Sequence, residues 1–184
     1  MAFEKEIIVL LQQLKNPVFN WISIVVSYFF DYPLAIALAV IFLICKKYKN
    51  AIKFLILEGV GLAVQLILKA IVKRPRPYVT YSEIENIYPA SNTSFPSGHT
   101  LTCMIAVVYL YSLVNSSNMS KNKKILCKVG LGVMIITCVL NRMYLGQHYI
   151  TDCIASILIG LIIGITLLPP LNKLLRGNEK EVTV

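Results

Sequence analysis

Charge is scarce in this chain. Asp, Glu, Lys and Arg make up 15% of its 184 residues, where a soluble domain carries about 25%. Hydrophobic residues reach 57%, so an ordinary water-soluble globule is excluded. The five cysteines form no C-x-x-C pair and have no histidine at metal-ligand spacing, which leaves them as small hydrophobes in apolar helices. No internal repeat and no low-complexity tract is present. The first residues do not read as a secretory signal: Phe3-Glu-Lys-Glu is not a basic leader, and no small-residue cleavage site follows an apolar stretch. Histidine is the scarcest chemistry-bearing residue, with two in the chain.

Long apolar runs take the place of charge. Residues 51–72 carry one charge near each end plus Glu58. Residues 100–114 carry none, residues 129–141 extend a stretch that begins at Ile125, and residues 153–171 carry none. Pro33–Cys45 is shorter and wholly apolar. Runs of this kind suit a bilayer, which takes roughly 20 residues of helix to cross. Residues 3–14 read as a short amphipathic helix with Ile7, Ile8, Leu11 and Leu14 on one face. Residues 17–30 are apolar but short, and Asp31-Tyr32-Pro33 interrupts them. The expected fold is therefore all-α, a polytopic membrane helical bundle with about five spans plus an N-terminal interfacial helix. A sixth span follows if 17–30 crosses. The chain reads as one domain over 1–184, with interfacial helices in 1–30, a transmembrane core in 31–171 and a cytoplasmic tail in 172–184.

The net charge of +9 raises the question of nucleic acid, and its distribution answers it. Lys46, Lys47, Lys49 and Lys53 follow the first span; Lys121, Lys123, Lys124 and Lys128 precede the fourth; Lys173, Arg176 and Lys180 follow the last. Alternate loops fall on one side, and the positive-inside rule makes that side cytoplasmic. No nucleic-acid partner is expected. A further basic group, Lys69, Lys73, Arg74 and Arg76, falls on the opposite face and needs its own explanation.

That outer face gathers three polar islands. The first is Lys69-x6-Arg76-Pro77, where Pro75 and Pro77 stop a helix and open a long loop, 74–97, that holds Tyr78, Tyr81 and Tyr88. Snorkelling to headgroups would explain some of these cations, and Lys73 and Arg74 are left in that role. The second is Pro96-Ser97-Gly98-His99, which starts the next span. Ser97 suits an N-cap, and the free N–H groups of a helix start suit an anion. The third is Arg142-x5-His148-x3-Asp152. His148 and Asp152 are four apart and share a helix face, so the carboxylate can orient the ring and leave its other nitrogen free to attack. Two imidazoles, a carboxylate and fixed cations are the parts needed to hold and break a phosphate ester.

Order and spacing of these three motifs resemble the signature of the type 2 phosphatidic acid phosphatase superfamily, over roughly residues 50–165. The apolar spans separate the chain from the soluble vanadium haloperoxidases of that superfamily. The resemblance implies His148 as nucleophile, Asp152 as its orienting carboxylate and His99 as general acid and then base. It also implies that Lys69, Arg76, Ser97, Gly98 and Arg142 bind phosphate. The position before Arg142 is usually Ser; here it is Asn141, whose amide still donates hydrogen bonds, so altered phosphate binding is expected there.

The chain looks most like the short bacterial members that dephosphorylate undecaprenyl diphosphate. Phosphatidate or phosphatidylglycerophosphate is the alternative substrate, and non-catalytic phospholipid binding or transport the alternative of another class. The expected partners are the bilayer and a lipid with a phosphate or diphosphate headgroup, with the site on the outer face of the cell membrane. Gly160 and Gly164 form a small-xxx-small pair that suits packing within the monomer or between copies, which leaves the oligomeric state open. No carboxylate cluster suggests a metal, so neither metal nor cofactor is expected. Phosphate release undiminished by EDTA is the expected outcome, and complete loss in EDTA would refute metal-independent catalysis.

Overall fold

The computed structural model describes residues 2–88, 90 and 93–177; residues 178–184 of the expected tail lie outside the described residues. The elements are α1 (Ala2–Gln12), α2 (Pro17–Phe30), α3 (Tyr32–Ile44), α4 (Tyr48–Val72), the single turn α5 (Pro77–Thr80), α6 (Gly98–Ser116), α7 (Lys121–Tyr144) and α8 (Ile150–Gly177). There is no strand among the described residues.

Local chemistry sets several of these boundaries. Asn16 Oδ1 accepts from Phe19 N at 2.9 Å and Pro17 occupies the first turn, so α2 starts there. Ser97 caps α6 in the same way. Lys73, at φ 48°, closes α4 in the left-handed region, and the prolines after it forbid another helical turn.

Helices α4, α6, α7 and α8 are each long and apolar enough to cross a membrane. α2 and α3 meet at Asp31 with a bend of 49°, and only as a pair do they have the length and apolarity of a crossing, so the described helices give four to five candidate spans, in line with the expected five. Asp31 Oδ2 lies 3.8 Å from His99 Nε2 at the start of α6, and Asn20 and Ser23 of α2 bond Tyr144 and Asn141 at the end of α7, so the break lies at one end of the bundle rather than within it.

The outward faces are oily. Ile52, Leu55, Leu62 and Leu66 on α4, Leu126, Val129, Val133 and Ile136 on α7, and Ile154, Leu158, Ile162 and Ile165 on α8 are all exposed. Facing water, such a surface would drive association; facing acyl chains, it is the expected finish of a multi-pass membrane protein. Inside, Phe42, Phe54 and Tyr109 pack ring against ring, with centroids 5.5–6.3 Å apart. The Tyr109 hydroxyl donates to Asn50 O at 3.0 Å, so the one polar atom of that cluster is satisfied.

Gly160 and Gly164 face α6 within the same chain. A Cβ at Gly160 would sit 3.0 Å from Met104, and one at Gly164 would overlap the Val108 side chain. The absence of side chains is what lets α8 lie against α6.

The two ends of the bundle differ. At one end lie the α3–α4 and α6–α7 connections and the end of α8, where Lys53 donates to Asn172 Oδ1 at 2.7 Å and Lys124 to Asn115 O at 2.9 Å. At the other end the C-termini of α4 and α7 meet the N-termini of α6 and α8. α1 lies across this second end. Its Ile8 is fully buried with Ile84, Met143 and Tyr149, and Gln12 Nε2 donates to Tyr144 O at 2.9 Å. The expected amphipathic helix is present, with its apolar side against the protein. Leu14 lies beyond the helix end and stays 59% exposed, so it leaves that face.

Substituting Leu for Gly164 should cost about 1–3 kcal/mol through overpacking, seen as a lower thermal midpoint in detergent. Gly132→Leu, on a face of α7 where a Cβ meets nothing within 4 Å, should leave it unchanged.

Candidate active site

Four helix ends converge on a cavity of about 380 Å³. Its walls include Lys69, Arg76, Gly98, His99, Arg142 and His148, so six of the nine residues expected at the site line it. Each arrives by a local device. Lys69 stands on the last turn of α4. The left-handed Lys73 and the two prolines turn the chain so that Arg76, seven residues on, faces the same space. Arg142 stands on the last turn of α7, and His99 on the first turn of α6. His148 lies in the connection from α7 to α8. That turn is made at Gly146, φ 73°, where a Cβ would come 2.5 Å from Glu85 O.

Neutral acceptors hold the cations. Lys69 Nζ donates to Thr93 O at 2.7 Å. Arg76 Nη1 donates to Gln147 O at 3.0 Å and to Gln147 Oε1 at 2.9 Å. Arg142 Nη2 donates to Ser27 Oγ at 2.7 Å. Carbonyl and hydroxyl oxygens fix these groups in place without cancelling their charge, so the cavity keeps a field that attracts an anion.

The ring of His148 can be assigned a tautomer. Nδ1 lies 2.6 Å from Ser94 O. A carbonyl oxygen accepts and cannot donate, so Nδ1 carries the proton. Nε2 then holds the lone pair, 3.4 Å from Arg76 Nη1 and on the cavity side. Burial opposes a charged ring and, with Arg76 and Arg142 adding to that effect, carries the His148 pKa down to about 4 against the pull of Asp152. The imidazole is neutral at ordinary pH, with its free nitrogen toward the cations.

Asp152 sits fully buried beside it, but His148 lies before α8 rather than on a shared helix face, and the contact is not the direct bond the sequence suggested. Asp152 Oδ2 is 3.7 Å from His148 Nδ1 and accepts instead from Tyr149 N at 2.9 Å. Oδ1 accepts from Arg74 Nη1 at 2.6 Å. Arg74 is thus committed inside the protein rather than to headgroups.

Two expected phosphate ligands do not face the cavity. Ser97 is buried at the start of α6, with Oγ 2.9 Å from Thr100 Oγ1 and accepting from Thr100 N at 3.4 Å. Asn141 Nδ2 donates to Ser23 O at 2.9 Å, and the residue lines a separate apolar groove with Phe19, Val26 and Tyr144. Neighbours on a helix point about 100° apart, so with Arg142 aimed inward, Asn141 is turned toward α2.

Other wall residues were missed. Gln65 lies one turn before Lys69 on α4, and Thr102 one turn after His99 on α6; polar residues at those spacings inside apolar runs were the available signal. Asp31 Oδ2 lies 3.8 Å from His99 Nε2. Nothing in its position at the α2–α3 break announced that. Among the described residues, no three His, Cys, Asp or Glu side chains gather as a metal-ligand group.

Comparison with known proteins gives a family and a shared fold. A family model described as the PAP2 superfamily matches residues 29–174. Phosphatidylglycerophosphatase B of Bacillus subtilis (strain 168) is 25% identical over 164 residues, 88% of this chain and 78% of that protein. Undecaprenyl-diphosphatase BcrC of the same organism is 28% identical over 107 residues, 56% of this chain and 49% of that protein. The fold is shared with two crystal structures. That of Aquifex aeolicus LpxE has a TM-score of 0.74 at 22% identity, covering 89% of this chain and 93% of the other. That of the first transmembrane PAP2 type phosphatidylglycerolphosphate phosphatase from Bacillus subtilis has a TM-score of 0.76 at 21% identity, covering 99% and 87%.

The His148 geometry carries its own test. In ring-labelled protein the His148 resonance should titrate far below the ordinary value of about 6.5, and Asp152→Asn should push it lower by removing the carboxylate that favours the charged ring. The sign for stability follows. Between about 6.5 and the folded value the unfolded chain binds a proton that the folded ring refuses, so stability falls as pH is lowered through that window. A His148 that titrates normally would refute the assignment.

Proposed function

The chain belongs to the PAP2 superfamily, and from that membership we propose that it is a membrane lipid phosphatase acting through a phosphohistidine on His148. The observation that carries the reading is the placement of His148 Nε2. It is deprotonated, held by Ser94 O from behind, and faces a cavity walled by Lys69, Arg76, Arg142 and a second imidazole, His99.

Each step balances on these residues. Lys69, Arg76 and Arg142 hold the phosphoryl oxygens, with backbone N–H groups at the start of α6 beside them. The Nε2 lone pair attacks phosphorus while the bond to the lipid oxygen breaks. Protonated His99 gives that oxygen its proton, and the lipid product leaves. The Nδ1–H stays on the ring, and Asp152 opposes the positive charge that phosphorylation creates there. Neutral His99 then takes a proton from water as the new P–O bond forms and the P–N bond breaks, releasing phosphate. The cations stabilise the charge on the equatorial oxygens throughout.

Undecaprenyl diphosphate is the first substrate in this reading and phosphatidylglycerophosphate the second, each supported by one of the curated relatives. The lysine-rich end of the bundle and the cavity lie at opposite ends, so the positive-inside rule supports an outward-facing site. A headgroup would enter the cavity while its tails remain in the bilayer.

Purified protein in detergent should release phosphate from one of these lipids, and His148→Ala should abolish release. His99→Ala should lower kcat by about 10²–10⁴ on the lipid; with p-nitrophenyl phosphate, whose leaving group needs no proton, the first step should survive while hydrolysis of the phosphohistidine slows, so the phosphoenzyme should accumulate. Release that survives His148→Ala would remove the phosphohistidine. No release by folded wild-type protein would turn the reading to phospholipid binding.

A further inference from the structure

Arg74 is absent from the walls of the cavity, yet it is among the most heavily bonded side chains near it. Nη1 donates to Asp152 Oδ1 at 2.6 Å and to Thr151 Oγ1 at 2.7 Å, and Nη2 donates to Glu4 Oε2 at 3.0 Å. Its guanidinium lies over the Tyr149 ring, 3.8 Å from the centroid. Glu4 is itself buried, and its other oxygen accepts from the Thr151 hydroxyl at 2.6 Å and from Thr151 N at 3.3 Å. Glu4 belongs to α1, outside residues 29–174 that match the family model.

Two consequences follow from this chain of contacts. The first is orientation. Asp152 has one oxygen taken by Arg74 and the other by Tyr149 N, while His148 Nδ1 stands 3.7 Å off. The carboxylate is therefore aimed by Arg74 and the backbone rather than by the histidine it serves. The second is charge. Glu4, Arg74 and Asp152 together carry a single negative charge behind His148. Without Arg74 that becomes two; without the Glu4 charge it becomes zero. In a buried setting such differences are felt strongly.

We propose that Glu4 and Arg74 are positioning residues: they hold Asp152 in its orientation and set the net charge behind His148, so that α1 completes the active site from outside it. The inference rests on the reading of His148 as nucleophile. The other charged or titratable groups facing His148 are Arg76 from the α4–α6 connection, Arg142 from α7 and His99 from α6. They are common to every variant below and set a constant background.

The experiment measures kcat and KM across pH for the full chain in detergent, with undecaprenyl diphosphate and with phosphatidylglycerophosphate. It compares wild type, Arg74→Met, Arg74→Lys and Glu4→Gln. Arg74→Met should lower kcat by about 10²-fold, the scale of a small misplacement of a reacting group, with little change in KM. Its acid limb should move to higher pH, because two unopposed carboxylates favour a protonated His148. Glu4→Gln should lower kcat less and move the acid limb the other way, toward lower pH. Arg74→Lys keeps the charge and should restore the wild-type limb with part of the rate. Should Arg74→Met fail to fold, Glu4→Gln and Arg74→Lys still decide the matter. Variants that lose rate equally at every pH with the limb unmoved, or that lose no rate while wild type is active, overturn the inference alone. Wild-type protein that releases phosphate from neither lipid overturns the reading of the site and this inference with it.

Discussion

The structure depends on holding cations firmly without neutralising them. Lys69, Arg76 and Arg142 stand at the end of an apolar bundle, where an unsatisfied charge is costly. Their hydrogen bonds go to the Thr93 carbonyl, to the Gln147 carbonyl and amide oxygens, and to the Ser27 hydroxyl. A carboxylate in any of those places would have satisfied the cation and cancelled its field. Among the described residues lining the cavity, the one carboxylate is Asp31, and it faces His99. The arrangement gathers three cations on one cavity, a setting that suits an anion.

The negative charges are kept on the other side of His148. Asp152 and Glu4 lie behind the His148 ring with Arg74 between them, and the ring separates this group from the cavity cations. That separation explains how one imidazole can have a hydrogen-bond acceptor at Nδ1 and donors around Nε2. It also explains why the longer contact to Asp152 is compatible with a fixed ring: the Ser94 carbonyl, 2.6 Å away, sets the tautomer, and the carboxylate acts through its charge.

The fold serves this layout by bringing helix ends together rather than helix faces. Prolines after α4, a capped start to α6 and a glycine turn before α8 put Arg76, His99 and His148 within reach of one space. Gly160 and Gly164 set how closely α8 approaches α6. α1 lies over the same end, and its buried Ile8 anchors a helix whose Glu4 reaches Arg74.

Much of this was legible in the sequence, for identifiable reasons. Apolar runs specify spanning helices because the bilayer punishes any other solution. Residues close in the sequence, such as His148 with Asp152 or Lys69 with Arg76, were brought near each other by local geometry, the turn at Gly146 before α8 in one case and the prolines after α4 in the other. The directions of Asn141 and Ser97 were not legible. Each is set by a neighbour that takes up its hydrogen-bonding group, Ser23 from α2 in one case and Thr100 in the other. The roles of Asp31, Ser27 and Arg74 were also beyond reach, since their partners lie 68, 115 and 78 residues away along the chain. The sequence by itself determined the class of fold, the apolar spans and the inventory of reactive groups, because these follow from local composition and period. Tertiary structure alone decided which oxygen holds each cation, which nitrogen of His148 is free and which carboxylate stands behind it. Those outcomes depend on contacts between segments that no local pattern relates.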